Sequence, residues 1–174
     1  MDDAKPAPAA LHGASIISAI KDAGIQYILS VPDLHTSKGL LFPIAQDKDL
    51  KLIRVCKEDE TLGISAGLSY GDIKSLILVQ YTGFLYAMNA IRGVALEQKQ
   101  PAIFMVGLLG KEPGVEPQKS KRYGVRILEP ILDVLPMKRI LIETDADVPL
   151  IRPAIEEALA SSKSLAILIG GKPL

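Results

Sequence analysis

The sequence is poor in cysteine and in aromatic residues, and it carries no excess of either charge. Its 174 residues include one cysteine, Cys56, which excludes an intramolecular disulfide and a zinc site built from several cysteines. Tryptophan is absent and aromatic residues make up 5%, so few side chains could stack on bases. Twenty basic residues balance 20 acidic ones, whereas general binders of nucleic acid or anionic membranes carry a basic excess. We therefore expect neither nucleic acid nor a membrane as a partner.

Hydrophobicity and the N-terminal composition bound the class of protein. Charges interrupt every apolar run well short of the roughly 18–20 residues that span a bilayer, and the hydrophobic fraction of 48% excludes a disordered chain. Asp2 and Asp3 stand where a signal peptide would be basic and then apolar, so we expect a cytoplasmic protein. Residues 1–10 are rich in proline and alanine and are expected to form a flexible arm. Residues 11–174 suffice for a single domain.

Short apolar segments alternate along the chain with segments of helical periodicity. Apolar runs without in–out alternation are typical of parallel strands covered on both faces. The pattern therefore predicts an α/β, doubly wound, three-layer domain around a mostly parallel sheet of about six strands. The predicted strands are 26–31, 50–56, 75–80, 102–107, 139–143 and 164–169, and the predicted helices are 11–23, 36–46, 58–70, 84–98, 125–134 and 148–161.

Ligands of such sheets bind at the carboxyl ends of the strands, so the loops that follow the strands are the candidate site. Four of these loops contain polar side chains: 32–37, 57–60, 81–83 and 108–122. None carries the G-x-G-x-x-G or G-x-x-x-x-G-K-[ST] pattern of nucleotide sites, nor the G-x-S-x-G pattern of hydrolases. Two histidines and one cysteine do not predict a metal cluster.

The junction between the second predicted strand and its helix combines acidic and small residues. Glu58, Asp59 and Glu60 could simply complement the dipole of the helix that they begin. Gly63 and Gly67 lie inside the same helix, where glycine costs about 1 kcal/mol relative to alanine. Two such glycines indicate close approach by another backbone or a ligand, or else tight packing on the sheet.

This junction resembles the pyrimidine-binding domain of thiamine-diphosphate enzymes. In that family a strand ends in a catalytic glutamate, and nine residues later comes a glycine of a small-residue helix; nine residues before Gly67 is Glu58. The run EDETLGISAG is similar to that of sulfopyruvate decarboxylase alpha subunits and of the matching part of phosphonopyruvate decarboxylase. VPDL at 31–34 resembles their V-P-D-S turn, and LVQYTG at 78–83 with Asn89 and Ala90 resembles L-x-Q-N-S-G-L-G-N-x-x-N-A.

The resemblance implies a subunit of a thiamine-diphosphate-dependent carboxy-lyase that acts on a 2-oxo acid similar to sulfopyruvate or phosphonopyruvate. Glu58 would be catalytic, would hydrogen-bond N1′ of the aminopyrimidine and would thereby promote loss of the C2 proton. Pro32, Thr82 and Gly83 would also bind the cofactor. Weaker candidates for contact with substrate are Asp33, His35, Lys119, Lys121 and Arg122.

The resemblance also implies a partner. In the family, diphosphate and Mg²⁺ are held by a domain with a G-D-G motif and a later pair of asparagines. Here Gly71-Asp72 is followed by Ile73, and Asn89 is the one asparagine. We therefore expect no metal ligand in this chain, a beta subunit that holds Mg²⁺ and diphosphate, and a hetero-oligomer in which this chain also self-associates.

Two departures keep other interpretations open. The family's G-L-G-N is Gly83-Phe84-Leu85-Tyr86 here, and Leu34 replaces the serine of V-P-D-S. One alternative is a regulatory or small-molecule-binding module that kept the fold without the chemistry. Another is a flavodoxin-like binder in which Glu58 merely caps a helix. His35 and the lysines of the 108–122 loop have a simpler interpretation as solvated loop residues, and Cys56 as a buried small hydrophobe.

Overall fold

Six parallel strands form one sheet in the computed structural model, which describes residues 10–174. The strands are β1 (Tyr27–Ser30), β2 (Lys51–Arg54), β3 (Ser75–Gln80), β4 (Ile103–Gly107), β5 (Lys138–Ile142) and β6 (Leu165–Ile169). They lie in the order β2-β1-β3-β4-β6-β5, and every neighbouring pair is parallel. The predicted fold class is confirmed. The arm expected at residues 1–10 lies, except for Ala10, outside the described residues.

Seven α-helices connect the strands in the described part of the chain. They are α1 (Gly13–Asp22), α2 (Phe42–Gln46), α3 (Glu60–Ser69), α4 (Tyr81–Tyr86), α5 (Met88–Ala90), α6 (Tyr123–Val134) and α7 (Ile151–Ala160). A π-helical segment, Ser37–Leu41, runs directly into α2, and another, Ile91–Glu97, follows α5. Short 3₁₀ helices cover Pro117–Lys119 and Asp145–Leu150.

Two of the helices differ from the sequence-based expectation. The helix expected over 36–46 is π-helical over Ser37–Leu41 and α-helical from Phe42, and Pro43 lies in the first turn of α2, where its missing N–H is not needed. The helix expected over 84–98 begins earlier, at Tyr81, because the chain turns into α4 directly after β3. The first helical turn at the end of β3 therefore contains Thr82 and Gly83, which were expected in a loop.

Helices cover both faces of the sheet, and a hydrophobic core lies on each side. The first core joins α1, α2 and α7 to one face; it includes Ile16, Ile44, Ile155, Ile28 and Leu78. The second core joins α3, α4 and α6 to the other face; it includes Leu62, Phe84, Leu128, Leu29 and Phe104. Alternate residues of each strand enter alternate cores, which explains the unbroken apolar runs of the sequence.

The topology places a crevice at the carboxyl ends of β1 and β3. These two strands are neighbours. The chain leaves β1 towards the face of α2 and leaves β3 towards the opposite face, that of α4. Such a divergence opens a gap between the two loops, which is where ligands bind in open α/β sheets.

Within residues 10–174, no helix combines the length and the apolar character needed to cross a membrane.

Candidate functional site

Glu58 lies against the first turn of α4, at the carboxyl end of β3. It belongs to the turn between β2 and α3 and is half-buried. A Cβ atom built on Gly83 would lie 2.5 Å from both Cγ and Oε1 of Glu58. The Glu58 side chain therefore occupies the space that any larger residue at 83 would need. The structure brings together two residues that are 25 positions apart in the sequence and that the sequence assigned to one site.

Glu60 and Thr61 hold the turn in which Glu58 lies. Oε2 of Glu60 accepts hydrogen bonds from the backbone N–H groups of Cys56 and Lys57, at 3.0 and 3.2 Å. The backbone N–H and the hydroxyl of Thr61 both donate to the carbonyl oxygen of Glu58. Glu58 precedes the N-cap residue Asp59, and the helix has no side-chain cap hydrogen bond, so the interpretation of Glu58 as a helix cap has no support. In the described chain the Glu58 carboxylate accepts no hydrogen bond and joins no ion pair.

Asp59 contributes a feature that the sequence did not predict. Its Oδ1 atom is buried, and no residue among those described donates a hydrogen bond to it. A buried acceptor without a donor costs about 1–3 kcal/mol, and more when it is charged. The Glu58 carboxylate is therefore the one that is available to a ligand or a partner, whereas Oδ1 of Asp59 is enclosed by the chain and Glu60 is engaged.

The other predicted cofactor residues lie at the same end of the sheet, but not all beside Glu58. Thr82 is exposed next to Gly83, and its hydroxyl donates to the Gln80 side chain at 2.9 Å. Pro32 is exposed in the loop after β1, where it shares a surface depression with Phe42 and Arg54. The contact that the structure shows is thus between Glu58 and Gly83, and the roles of Thr82 and Pro32 stay predictions.

Of the residues that depart from the family motifs, one lies in the core and two lie on the surface. Phe84 is fully buried and its ring packs edge-on against Phe104, with 5.1 Å between the ring centroids. Tyr86 and Leu34 are more than half exposed. The bulky residue that follows Gly83 therefore fills the core under α4 and leaves the Glu58 contact open. Cys56, expected to be buried, is exposed because β2 ends at Arg54 and Cys56 already belongs to the turn.

Asp33 organises the loop after β1. One of its carboxylate oxygens accepts hydrogen bonds from the backbone N–H groups of His35 and Thr36, and the other accepts one from the Thr36 hydroxyl. The loop then crosses the end of β4, where a Cβ on Gly107 would lie 2.9 Å from Cγ2 of Thr36. Both oxygens of Asp33 thus shape the backbone, and its contact with a substrate stays a prediction.

His35 is buried, which contradicts its interpretation as a solvated loop residue. It is 5% exposed, and its Nε2 lies 3.0 Å from the carbonyl oxygen of Ile169, so this nitrogen carries the proton. Burial lowers the pKa of His35, which outweighs the opposite effects of the hydrogen bond to Ile169 and of the Asp33 charge. The neutral side chain ties the β1 loop to the end of β6.

We expect His35 to make the protein sensitive to mild acid. Because its pKa is lower in the folded chain, the unfolded state takes up a proton first as the pH falls below about 6.5, and stability is lost in that window. Urea unfolding at pH 7.5 and 5.5 should show a smaller loss for His35→Gln than for the unaltered protein. His12→Gln, a change at an exposed histidine, serves as the control. An equal loss in the His35→Gln variant would contradict this expectation.

The three basic residues that the sequence singled out in the 108–122 loop, Lys119, Lys121 and Arg122, lie on its outer surface. Lys119 is 73% exposed and pairs with Glu116, and Lys121 and Arg122 are exposed as well. Glu112 holds the loop: its carboxylate accepts hydrogen bonds from the Ser120 hydroxyl and the Lys121 backbone, and these bonds lower its pKa. A Cβ on Gly110 would lie 2.6 Å from Nε of Arg122, so this side chain folds back over the loop. Contact of Lys119, Lys121 and Arg122 with an anionic substrate stays a prediction.

An ion pair between a buried lysine and a partly exposed glutamate lies at this end of the sheet, and the sequence did not predict it. Lys111 follows β4, its side chain is fully buried, and its Nζ pairs with the carboxylate of Glu143 after β5. Neither residue stands in a recognised motif, and the two are 32 positions apart, so the pairing depends on β4 and β5 flanking β6. No group of three His, Cys, Asp or Glu side chains in residues 10–174 could hold a metal ion.

Comparison with known proteins gives two relatives and no match to a family model. The chain is 30% identical over 96 residues to sulfopyruvate decarboxylase subunit alpha of Methanococcus maripaludis; the matched segment is 55% of this chain and 57% of that protein. It is 33% identical over 96 residues to the subunit of the same name from Methanocaldococcus jannaschii, where the segment is 55% of this chain and 56% of that protein. The chain thus matches little more than half the length of these relatives. The resemblance predicted from the motifs is confirmed: the chain is similar to sulfopyruvate decarboxylase alpha subunits.

Proposed function

We propose that this chain supplies the glutamate of a thiamine-diphosphate site in a decarboxylase that acts on a 2-oxo acid similar to sulfopyruvate or phosphonopyruvate. The observation that carries the proposal is the Glu58 carboxylate, which rests on Gly83 and binds no other side chain of residues 10–174. The two relatives are named as alpha subunits of sulfopyruvate decarboxylase. We propose the decarboxylase activity in their names for the present chain as well.

The residues around Glu58 fit one end of the cofactor. Gly83 leaves the room that a Cβ would take, so the carboxylate can lie flat over the first turn of α4. There it would hold a proton shared with N1′ of the aminopyrimidine, a task for which a positioned carboxyl is suited. Exposed Thr82 and Pro32 would border the ring. Bound thiamine diphosphate supplies the electron sink for loss of carbon dioxide, and the protein supplies orientation and proton control.

The diphosphate end requires another polypeptide in this proposal. The 174 residues contain no G-D-G motif and no asparagine pair, and those described contain no metal cluster. A beta-type subunit would hold Mg²⁺ and diphosphate, and the site would form where the two subunits meet.

Helix α3 offers a surface for that contact. Gly63 and Gly67 are one turn apart and exposed, and a Cβ on either would meet nothing within 4 Å. Tight packing on the sheet therefore does not explain these two glycines. A helix without side chains along one edge permits close approach by a neighbouring backbone, which is the other explanation that their positions allow.

The alternative of a regulatory module depended on the departure from G-L-G-N. Phe84 belongs to the core and leaves the Glu58–Gly83 contact intact. The departure therefore does not favour loss of chemistry, and catalysis is the function that the site supports best.

Titration calorimetry tests the split site. We expect thiamine diphosphate with Mg²⁺ to bind very weakly to this chain alone, because the chain contributes only the pyrimidine end. Binding should become tight, and release of carbon dioxide from 2-oxo acids should appear, after co-expression with a protein that carries the G-D-G and Asn-Asn motifs. Micromolar, Mg²⁺-dependent binding to the isolated chain would contradict the split site. An inactive complex that also fails to bind the cofactor would contradict the proposed function.

A further inference from the structure

Gln80 lies at the carboxyl end of β3, between the loop after β1 and the first turn of α4. It is the last residue of β3, α4 begins directly after it, and it stands opposite Gly107 of β4. Thr36 and His35 of the β1 loop fill the space over Gly107, where a Cβ would lie 2.9 and 3.2 Å from their side chains. Gln80 is therefore part of the wall of the crevice that Glu58 borders, on the side of the β1 loop.

The alternation of side chains along β3 sets the direction of Gln80. Leu78 enters the core under α1, α2 and α7, whereas Val79 enters the core under α4. Since successive side chains of a strand point to opposite faces, Gln80 lies on the same face as Leu78. Glu58 rests on Gly83 of α4, which covers the other face. The two polar side chains therefore border the crevice from opposite sides.

Thr82 fixes the orientation of the half-buried Gln80 amide. Its hydroxyl donates to Oε1 of Gln80 at 2.9 Å, so Nε2 and its two N–H groups are directed away from Thr82. Within residues 10–174, Nε2 donates to no acceptor. It is accessible to solvent, because the one buried side-chain N or O atom there that lacks a hydrogen-bond partner is Oδ1 of Asp59. Gln80 thus offers two N–H donors to a molecule in the crevice.

The two substrate candidates of the neighbouring β1 loop are engaged within the chain. Both carboxylate oxygens of Asp33 accept hydrogen bonds from the loop itself. The protonated nitrogen of His35 donates to the carbonyl oxygen of Ile169. Gln80, whose N–H groups have no partner in the described chain, is therefore better placed than either of them to bind a substrate.

A neutral amide suits the carboxylate of a 2-oxo acid. The carboxylate gives up its negative charge when it leaves as carbon dioxide, so a cationic partner would stabilise the starting state more than the transition state. A hydrogen bond from a neutral N–H to a carboxylate is still charge-assisted and directional. Amide donors therefore orient the carboxylate without adding a positive charge that opposes its loss.

We propose that Gln80 binds the carboxylate of the 2-oxo acid through its amide N–H groups. The inference rests on the function proposed above and names the side chain that recognises the substrate of that site. Glu58 acts on the cofactor from the α4 side of the crevice, and Gln80 holds the substrate from the side of the β1 loop.

Gln80→Met and Gln80→Glu test the proposal in the enzyme assembled with its beta-type partner. Methionine keeps the length of the side chain and removes the donors, so kcat/KM for sulfopyruvate or phosphonopyruvate should fall about tenfold or more, the value of a hydrogen bond to a charged group. Glutamate can still accept the Thr82 hydroxyl but repels a carboxylate, so it should lower kcat/KM further. Gln46→Met, the same change at an exposed residue of α2, should leave kcat/KM unchanged.

Hydrogen–deuterium exchange at C2 of thiamine diphosphate separates this role from damage to the site, because the exchange requires no substrate. The exchange rate and the urea unfolding of both Gln80 variants should be nearly normal. Unchanged kcat/KM in either variant would overturn the proposal, as would a slowing of C2 exchange that matches the loss of kcat/KM. Normal C2 exchange in Glu58→Gln would instead contradict the function proposed above, and that result does not depend on Gln80.

Discussion

The Glu58→Gln variant, assembled with its beta-type partner, is expected to release carbon dioxide more slowly than the unaltered enzyme by about 10²-fold or more. The change keeps the shape of the side chain and its contact with Gly83, but it removes the group that can hold and return a proton, and such a group contributes about 10²–10⁴-fold. Folding should barely change, because the carboxylate has no partner in the described chain and Glu58 precedes the first turn of α3. Steady-state decarboxylation and urea unfolding measure the two effects separately.

Glu60→Gln is the matched control for Glu58. It removes the same charge two residues away, from the side chain that accepts the backbone N–H groups of Cys56 and Lys57. An amide oxygen can still accept these bonds, so activity should stay near that of the unaltered enzyme. If Glu60→Gln lowered the rate as much as Glu58→Gln, general charge around the turn, and not a positioned proton, would explain the effect.

Gly83→Ala is expected to cause a loss of decarboxylation of at least about tenfold, because displacement of a reacting group by one ångström can cost about 10²-fold. The added Cβ would meet Cγ, Cδ and Oε1 of Glu58 at 2.5 to 2.7 Å. These atoms belong to a flexible side chain, so the carboxylate moves away and the backbone does not. The isolated chain should remain folded, since alanine is favoured over glycine in a helix by about 1 kcal/mol.

Gly63→Ala separates this effect from a general response of helices to an added methyl group. Its Cβ would enter open space in the isolated chain, so the chain should become more stable by up to about 1 kcal/mol. Its decarboxylation rate within a formed complex should exceed that of Gly83→Ala. A fully active Gly83→Ala enzyme would show that the contact between Glu58 and Gly83 has no part in positioning the carboxylate.

The sheet and the Glu58 position could be predicted because both depend on local patterns. Continuous apolar strands such as β3 and β4 follow from burial on both faces, and every residue of β4 is buried. The spacing of Glu58 from Gly67 is a feature of one strand–helix junction. What this spacing could not reveal is that Gly83, on the next crossover, provides the surface under Glu58.

Features that depend on contacts between distant segments were missed. The ion pair of Lys111 and Glu143 forms because β4 and β5 lie on either side of β6, which brings the loops after β4 and β5 together. The periodicity of the sequence does not indicate this strand order. His35 was interpreted as a solvated loop residue. In the structure its backbone N–H donates to Asp33, which folds the loop over the end of the sheet, and its side chain donates to the carbonyl oxygen of Ile169. Phe84 kept the alternative of a module without the chemistry open, because the sequence does not show that Phe84 packs on Phe104 in the core.

The central claim is that Glu58, and not its neighbour, controls the proton of the cofactor. The most direct measurement is the rate of hydrogen–deuterium exchange at C2 of thiamine diphosphate in the assembled enzyme, with Glu58→Gln compared against Asp59→Asn. Both variants remove one charge from the same turn, and Asp59 has its own unpartnered oxygen, so the pair tests the position as well as the chemistry. We predict slow exchange in Glu58→Gln and nearly normal exchange in Asp59→Asn. Normal exchange in Glu58→Gln would contradict the account, whatever the behaviour of Asp59→Asn.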